Sequence, residues 1–225
     1  MAPTPIDVLR GIPLFHHLDP DDLAGLAGLL RERTFSRGAI IVAQGDPGDA
    51  LFLISEGQVK VAVFAEDGRE VILSVLAAGG FFGEMALLDD EPRSAHVIAM
   101  SDATLLQLRR DDFRARLRGS PALGVALLRE LTRRLRRADE TIANLALLDV
   151  NGRIASLLLD FAREENGTRI TRKLTHVTIA QMVGASRETV SRAMRQLAVR
   201  EIITVTRREI VLKQPELLRT AAQRA

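Results

Sequence analysis

Cysteine, tryptophan and tyrosine are all absent from this 225-residue sequence. Without cysteine the chain has no disulfide bonds, no thiolate zinc site and no iron–sulfur cluster with all-cysteine ligation. The absence of tryptophan and tyrosine argues against the aromatic stacking platforms that bind single-stranded nucleic acids. A chain of this length is still long enough to bury a sizeable core, in one large domain or two modest ones.

Long hydrophobic runs are also missing. No apolar stretch approaches the ~20 residues that a membrane-spanning helix needs, and the uncharged stretch 71–83 is short and rich in glycine. The first residues show no basic region followed by an apolar one, so we expect no signal peptide. We therefore expect a soluble cytoplasmic protein with no membrane partner.

Charge is distributed unequally along the chain. Residues 1–120 contain 12 lysines and arginines against 18 aspartates and glutamates, whereas residues 121–225 contain 19 against 11. This polarity is typical of an acidic module joined to a module that meets a polyanion. Solubility alone also produces charged surfaces, so the motifs must decide between the two interpretations.

The stretch 120–149 organises the rest of the sequence. Ser120 and Pro121 form a typical helix start, an N-cap followed by a first-turn proline. Arg134 and Asp139 occupy g and e positions that join parallel helices across a seam. The sequence therefore predicts a long helix that pairs with a second copy, the alternative being an ordinary core helix. The heptad a and d positions, in steps of three and four, are Leu128, Leu131, Leu135, Ala138, Ile142 and Leu145.

The N-terminal half has the pattern of a β protein. After a helical segment at 19–30, short apolar runs alternate with glycine-rich turns, which indicates a β-sandwich or barrel. Asp67-Gly68 between two alternating runs predicts a hairpin. The predicted strands lie at 39–42, 51–54, 59–64, 71–76, 96–100 and 103–108.

Residues 81–95 depart from this strand pattern. Gly83 allows a tight turn, and residues 84–88 predict a short helix whose free N–H groups face an anion. The guanidinium of Arg93 suits a phosphate, and the carboxylate of Glu84, which only accepts hydrogen bonds, suits sugar hydroxyls. The alternative is a turn with a surface ion pair.

Residues 175–199 predict two helices around a tight turn. Thr175 caps the first helix, Gly184 ends it and Ser186 caps the second, which is the arrangement of a helix-turn-helix. The outer face of the second helix suits guanine and cytosine edges in a major groove, unless it is merely a solvated face. That face carries Arg187, Glu188, Ser191, Arg192 and Arg195.

Two features flank the helix-turn-helix. Asp149 ends the heptads and is a candidate N-cap for a following helix at 152–163, so we expect a hinge near 147–149. After the second helix, strands at 202–206 and 210–212 bracket a basic turn that resembles a wing, although its turn has no glycine.

Several of these motifs resemble the CRP/FNR family of transcription regulators. Residues 183–192 are similar to the family's recognition region and residues 145–155 to its hinge. The stretch 68–74, with Ile72 and Leu73, resembles the strand that walls its base pocket. The family's phosphate-binding cassette is matched by Gly83-Glu84-Met85-Ala86 and Arg93-Ser94-Ala95.

The resemblance covers residues from about 12 to 212, in the family's domain order. It implies an α+β fold that begins with a β jelly roll, the cyclic-nucleotide-binding domain, over 1–118. A long dimerisation helix then spans 119–148, and a winged helix-turn-helix that binds DNA spans 149–225.

The family also implies roles for single residues. The residue matching Glu84 holds the ribose 2′-hydroxyl of the nucleotide, those matching Arg93 and Ser94 hold its phosphate, and the one matching Arg134 lies beside the glutamate. The implied ligand-binding set is Ile72, Leu73, Gly83, Glu84, Met85, Ala86, Arg93, Ser94, Arg134, Ala138 and Asp139.

For DNA, the residues matching Arg187, Glu188 and Arg192 contact bases of a TGTGA-like half-site. The resemblance implies a homodimer on double-stranded DNA with two-fold symmetric half-sites, and RNA polymerase as a further partner. The iron–sulfur sensor of the FNR branch is excluded because it needs cysteines. The implied DNA-binding set is Thr175, Ser186, Arg187, Glu188, Ser191 and Arg192.

The chain departs from the family where the dimer helix meets the base. The catabolite activator branch supplies a threonine and a serine to adenine, but the matching positions here are Ala138 and Asp139. A carboxylate suits the paired N–H donors of guanine better than the mixed edge of adenine. Cyclic AMP is the first candidate effector. Cyclic GMP or cyclic di-GMP is the alternative, and a constitutive DNA-binding dimer with no effector is the second.

An enzymatic function is not indicated by the sequence. The four histidines show neither metal-ligand spacing nor a nucleophile motif, so we predict no catalytic residue and no bound metal. These histidines are His16, His17, His96 and His176.

Overall fold

The computed structural model describes residues 4–16, 18–165 and 167–223, so His17 lies outside the described residues. The chain forms two compact units, Met1–Arg134 and Leu135–Ala225, each described here by itself. The predicted α+β class is confirmed. Among the described helices, none combines the length and apolarity that a membrane crossing requires.

The first unit contains two antiparallel four-stranded sheets, as a jelly roll requires. Their strand orders are β1-β8-β3-β6 and β2-β7-β4-β5. Apolar side chains from the facing strands, such as Ile54, Val59 and Leu105, are completely buried between the sheets. The strands are β1 Arg31–Phe35, β2 Ile40–Val42, β3 Ala50–Glu56, β4 Gln58–Phe64, β5 Glu70–Ala77, β6 Phe81–Phe82, β7 His96–Ala99 and β8 Ala103–Arg109.

Helices pack on the outer face of the sheet that contains β3 and β8. Thr4 and Asp19 cap the first two through their side chains, and Phe113 of the fourth is fully buried in the same hydrophobic cluster as Leu9 and Leu123. The helices are α1 Pro5–Gly11, α2 Pro20–Ala27, α3 Met85–Leu88, α4 Arg110–Gly119 and α5 Pro121–Leu147, with a 3₁₀ turn at Pro13–Phe15.

The second unit contains the last part of α5 and a winged helix-turn-helix. Its sheet has the order β10-β11-β9, and its core includes the buried Ile154, Leu158, Ile179 and Val190. Its elements are α6 Val150–Glu164, β9 Arg169–Ile170, α7 His176–Val183, α8 Arg187–Val199, β10 Ile203–Val205, β11 Ile210–Leu212 and α9 Pro215–Ala221.

The predicted hinge lies between α5 and α6. The side chain of Asp149 accepts a hydrogen bond from the Gly152 N–H at 2.7 Å, so it is the N-cap of α6. The helix begins at Val150, two residues before the predicted start, because the first turn after an N-cap is already helical. The N-cap prediction at Asp149 is confirmed.

Two of the elements that the sequence did not predict, β1 and α4, carry little apolar signal. Strand β1 has the sequence RERTF, and all but its last residue are exposed, although it pairs with β8 over its whole length. Helix α4 has the sequence RDDFRARLRG, with Phe113 as its one buried residue. Both are positioned by long-range pairing and packing, which a local pattern does not record.

Candidate functional site

A glycine forms the turn that opens the cassette, which we define as residues 83–95. Gly83 has a φ of +91°, a left-handed conformation that a residue with a Cβ adopts only under strain. A Cβ there would also lie 2.6 Å from Nη1 of Arg93 and 2.9 Å from the Ala50 carbonyl oxygen. Glycine is therefore required for both conformation and space, and it brings the backbone against Arg93.

Glu84 follows this turn and is buried. Only 2% of the residue is exposed, and its Oε1 accepts a hydrogen bond from Nη1 of Arg134 at 3.0 Å. Its other oxygen, Oε2, has no hydrogen-bond partner among the described residues. Buried polar atoms are nearly always paired, so an unpaired carboxylate oxygen at this depth marks a position that a donor group can fill.

Arg134 fixes Glu84 from helix α5. Its Nη2 donates to the Phe81 carbonyl at 2.8 Å, its Nε donates to Glu130 at 2.9 Å, and its guanidinium lies 4.5 Å from the centre of the Phe81 ring. Burial raises the pKa of Glu130, but hydrogen bonds from Arg133 and Arg134 outweigh it and the net pKa is lowered. Glu130 was not among the predicted site residues, although its i, i+4 spacing to Arg134 is visible in the sequence.

Arg93 is the buried cation of the site. It is 5% exposed, and its Nη1 and Nη2 donate to the carbonyls of Gly83 and Ala50, each at 2.8 Å. Burial lowers the pKa of the Arg93 guanidinium, while the carboxylates of Asp49 and Glu84 act in the opposite direction. A guanidinium has five N–H donors, so these two contacts orient Arg93 and leave donor capacity for an anion.

The other predicted ligand residues differ in exposure. Ala86 is buried and Met85 is 51% exposed, as expected for neighbours on a short helix, and Ser94 is exposed beside Arg93. Ile72 is buried whereas Leu73 is 56% exposed. The pairing of β5 with β4 is irregular here, because Val61 pairs with Ser74 and Ala62 with Ile72, so the register skips Leu73. The roles of Ile72 and Leu73 at a ligand stay predictions.

Ala138 and Asp139 belong to the second unit, on α5, and both are exposed. Asp139 makes no hydrogen bond or ion pair within the described part of the chain. Nothing in these contacts assigns either residue to a ligand, so their place in the site stays a prediction.

The helix-turn-helix has the predicted caps and turn. The Thr175 hydroxyl accepts from the Thr178 N–H, and the Ser186 hydroxyl accepts from the Thr189 N–H, each at 3.1 Å. Gly184 has a φ of +64° and ends α7 in the left-handed conformation typical of a helix C-terminus. Thr175 and Ser186 are therefore structural caps, which places the first turns of α7 and α8 in fixed positions.

Helix α8 displays its charged residues to solvent. Arg187, Glu188 and Arg192 are all exposed, whereas Val190 and Met194 on the opposite face are buried. The backbone N–H of Glu188 and the side chain of Ser186 lower the pKa of the Glu188 carboxyl, which favours its acceptor-only form. This face can present donors and an acceptor to base edges.

Ser191 is held by a residue that the sequence analysis did not select. Its hydroxyl lies 2.8 Å from Nδ1 of His176, the first residue of α7. The hydrogen bond joins the two helices of the helix-turn-helix on the side that carries Arg187 and Arg192. The signal was weak, because an isolated histidine has no motif around it.

The predicted wing is a short hairpin. Strands β10 and β11 pair over three residues each, and Arg169 of β9 binds Glu209 beside the turn through two hydrogen bonds of 2.8 and 2.7 Å. Arg207 and Arg208 are exposed at the turn. In the described ranges there is no group of three or more histidine, aspartate or glutamate side chains arranged to hold a metal ion.

Two family descriptions match this chain. Residues 32–120 match the cyclic nucleotide-binding domain, and residues 152–221 match the Crp-like helix-turn-helix domain. The first match contains the cassette with Glu84 and Arg93, and the second contains both helices of the helix-turn-helix.

Two transcription regulators match nearly the whole chain. A CRP-like cAMP-activated global transcriptional regulator of Mycobacterium tuberculosis is 35% identical over 222 residues, 96% of this chain and 99% of that protein. The cyclic AMP receptor protein of Thermus thermophilus is 35% identical over 214 residues, 95% of this chain and 98% of that protein.

A solved structure supports the fold independently. FixK2 from Bradyrhizobium japonicum aligns with a TM-score of 0.78 at 22% identity, covering 87% of this chain and 98% of that one. The members of this family are transcription regulators and not enzymes. The chain belongs to the CRP/FNR family, as a DNA-binding transcription regulator with a cyclic-nucleotide-binding domain.

Proposed function

We propose that the chain acts as a homodimer whose binding to double-stranded DNA is controlled by a cyclic nucleotide, with cyclic AMP as the first candidate. The observation that carries the proposal is the unpaired Oε2 of Glu84, buried beside Arg93 and Arg134. A ribose 2′-hydroxyl supplies the donor that this oxygen needs.

The charges around the cassette suit the rest of such a ligand. Arg93 is held by two carbonyl groups in one orientation, and a guanidinium in fixed orientation binds a phosphate through two parallel hydrogen bonds. Ser94 is exposed next to it and adds a hydroxyl donor. A cyclic nucleotide combines the two groups that these residues suit, a single negative phosphate and a free 2′-hydroxyl.

The base of the effector is the open part of the proposal. The relative from Mycobacterium tuberculosis is named cAMP-activated, which favours adenine at 35% identity. Asp139 favours the alternative, cyclic GMP or cyclic di-GMP, because a carboxylate pairs with the two N–H donors of guanine. A constitutive dimer with no effector is the remaining alternative.

Dimerisation is supported by the apolar positions along α5. Leu128, Leu135 and Ile142 are 65%, 61% and 65% exposed in the single chain. Leucine and isoleucine at a positions of a heptad are buried when two parallel helices pair. We therefore assign α5 as the dimer helix over 119–148, between a nucleotide-binding domain at 1–118 and a DNA-binding domain at 149–225.

A symmetric dimer presents two copies of α8 to DNA. We assign base contacts to Arg187, Glu188 and Arg192, because these side chains are exposed and an arginine pairs with guanine while a glutamate accepts from cytosine. The expected target is a two-fold symmetric site with TGTGA-like halves, with RNA polymerase as partner at the promoter. We place the protein in the cytoplasm, as expected for a member of a family of DNA-binding regulators.

Calorimetry on the full chain tests the effector site. We expect cyclic AMP to bind the wild type, and Glu84→Gln to weaken it by at least about tenfold, because an amide presents one acceptor oxygen and loses the charge that holds Arg134. Glu66→Gln is the matched control, since Glu66 is exposed in the β4–β5 turn and makes no hydrogen bond or ion pair among the described residues.

The same titration separates the alternatives. Tighter binding of cyclic GMP or cyclic di-GMP than of cyclic AMP would identify the effector as a guanine nucleotide. Equal binding by Glu84→Gln and wild type would contradict the assignment of Glu84. No binding of any of the three nucleotides would favour the constitutive dimer.

A further inference from the structure

Two arginines of α4 hold the carbonyl end of the short helix α3. The Nε of Arg114 donates to the Leu87 carbonyl at 2.7 Å, and Nη2 of Arg110 donates to the Ala86 carbonyl at 3.0 Å. The last carbonyl groups of a helix have no partner inside the helix. Cations near this end stabilise the helix because the helix dipole gives it a partial negative charge. The two arginines therefore cap α3 from outside.

Asp90 connects the two arginines. Its Oδ1 accepts from Nη2 of Arg114 at 2.6 Å and also from Nη1 of Arg110. The hydrogen bond from Arg114 lowers the pKa of the Asp90 carboxyl, which favours the charged form. Asp90 has a φ of +62°, a left-handed conformation that is strained in a residue other than glycine and persists because its surroundings hold it.

Arg110 also joins the loop before β3 to this arrangement. Its Nε donates to the Gly48 carbonyl at 2.8 Å. A Cβ on Gly48 would lie 2.3 Å from Cβ of Ala86, so there is no room for a side chain between this loop and α3. One guanidinium thus links the loop, α3 and α4.

A helix of four residues does not hold its own position, because a single turn of helix is unstable without tertiary contacts. Glu84 is the residue directly before α3, so the position of α3 sets the position of the Glu84 carboxylate. We propose that Arg110, Asp90 and Arg114, which we call the α3 clamp, are positioning residues that keep Glu84 in the geometry for nucleotide binding. This inference rests on the proposed function, since the clamp acts through that site.

The arginines contribute most to the clamp. The side chain of Asp90 is 62% exposed, whereas those of Arg110 and Arg114 are 26% and 30% exposed. Exposed ion pairs add little stability by themselves. By contrast, truncating a partly buried arginine removes the donor from each backbone carbonyl that it contacts. Arg114→Met therefore disturbs α3 more than a change at Asp90.

Simple charge effects and the clamp predict opposite results at Asp90. Removing a carboxylate near an anionic ligand strengthens binding if only charge matters, whereas loss of the clamp weakens binding. Asp90→Gly also separates an effect on binding from an effect on stability, because glycine relieves the strain at a φ of +62°. This variant keeps or raises the melting temperature while it removes the bridge between the arginines.

The first measurement is calorimetric binding of cyclic AMP by the full chain. We expect Arg114→Met and Asp90→Gly each to raise the Kd, by about tenfold and about threefold. The controls are Arg118→Met and Asp111→Asn, which make the same charge changes on α4 at exposed residues without a hydrogen bond or ion pair in the described ranges. We expect both controls to stay within about twofold of the wild type.

The second measurement needs no ligand. Hydrogen exchange of the amides in residues 84–90 of the free protein should be faster in Arg114→Met and Asp90→Gly than in the wild type and both controls, because α3 opens more often. Unchanged exchange overturns the clamp, whatever the effector. Faster exchange with unchanged nucleotide affinity overturns its positioning role.

These readouts keep the clamp and the proposed function distinguishable. If the wild type binds no cyclic nucleotide but the clamp variants show faster exchange, the proposed effector is wrong and the clamp is supported as the group that holds α3. If the wild type binds and tighter binding follows from Asp90→Gly, charge alone acts and the clamp is contradicted.

Discussion

The two candidate sites in this chain treat their charged residues in opposite ways. In the cassette, Glu84 and Arg93 are almost completely buried and already hydrogen-bonded within the protein. On α8, Arg187, Glu188 and Arg192 are exposed to solvent. The charges of the first site are held by hydrogen bonds within the chain, whereas those of the second face solvent.

Burial changes what a mutation does. A buried charge that loses its partners leaves groups desolvated and unpaired, so we expect changes in the cassette to affect both folding and the proposed ligand binding. An exposed charge contributes little to folding, so we expect changes on α8 to leave stability unchanged and to affect only the proposed DNA recognition. The following variants sharpen or break this contrast, and they are ordered by the size of the expected effect.

The largest effect is expected at Arg93. Arg93→Lys keeps the charge but loses the fork that holds the Gly83 and Ala50 carbonyls, so we expect cyclic nucleotide affinity to fall by about 2–5 kcal/mol and the melting temperature to fall as well. The loss of stability is expected because Arg93 is almost completely buried. Calorimetry measures the affinity and thermal unfolding measures the melting temperature. If neither value changes, burial does not make the cassette more sensitive to substitution than α8.

Two glycines with positive φ test the same contrast through the backbone. A Cβ at Gly83 meets Arg93 and Ala50 at less than 3 Å, whereas a Cβ at Gly184 meets only the Leu145 side chain, at 3.6 Å. We expect Gly83→Ala to lower the free energy of unfolding by about 2–4 kcal/mol and Gly184→Ala by about 1 kcal/mol. Denaturant unfolding of both variants measures the two losses of free energy, and equal losses would show that the space around the glycine does not matter.

The effect expected on α8 is smaller than those expected at Arg93 and Gly83. Arg187→Ala should weaken binding to a TGTGA-like site by about 1–3 kcal/mol and relax the preference at one base pair, with stability unchanged. Arg200→Ala is the control, an exposed arginine at the end of the same helix. Fluorescence anisotropy with substituted DNA sites measures the preference, and an unchanged preference would show that α8 does not read that base pair.

Local sequence patterns were sufficient for much of the fold. The caps Asp149, Thr175 and Ser186 and the turn at Gly184 were predicted because each depends on residues within one helical turn. Strand β1 was missed because its sequence has no apolar alternation and its position depends on β8, whose paired residues, from Gln107 opposite Arg31 to Ala103 opposite Phe35, lie far away in the chain.

The candidate site, like the fold, was only partly predictable from local sequence. The motif from Gly83 to Ser94 was visible in the sequence, but the burial of Arg93 depends on Ala50 in β3, 43 residues away. The unpaired oxygen of Glu84 and the contacts of Arg110 with Gly48 and Ala86 are likewise products of packing. Sequence shows which groups are present, and only the folded chain shows which of them lack a partner.

The central claim is that a cyclic nucleotide controls DNA binding. The most direct test is the affinity of the full chain for a two-fold symmetric TGTGA-like duplex, followed by fluorescence anisotropy as cyclic AMP is titrated. We expect the Kd for DNA to fall by at least about tenfold at saturating nucleotide, and the fall to be absent in Glu84→Gln. A Kd for DNA that stays constant across the titrations of cyclic AMP, cyclic GMP and cyclic di-GMP would contradict the account.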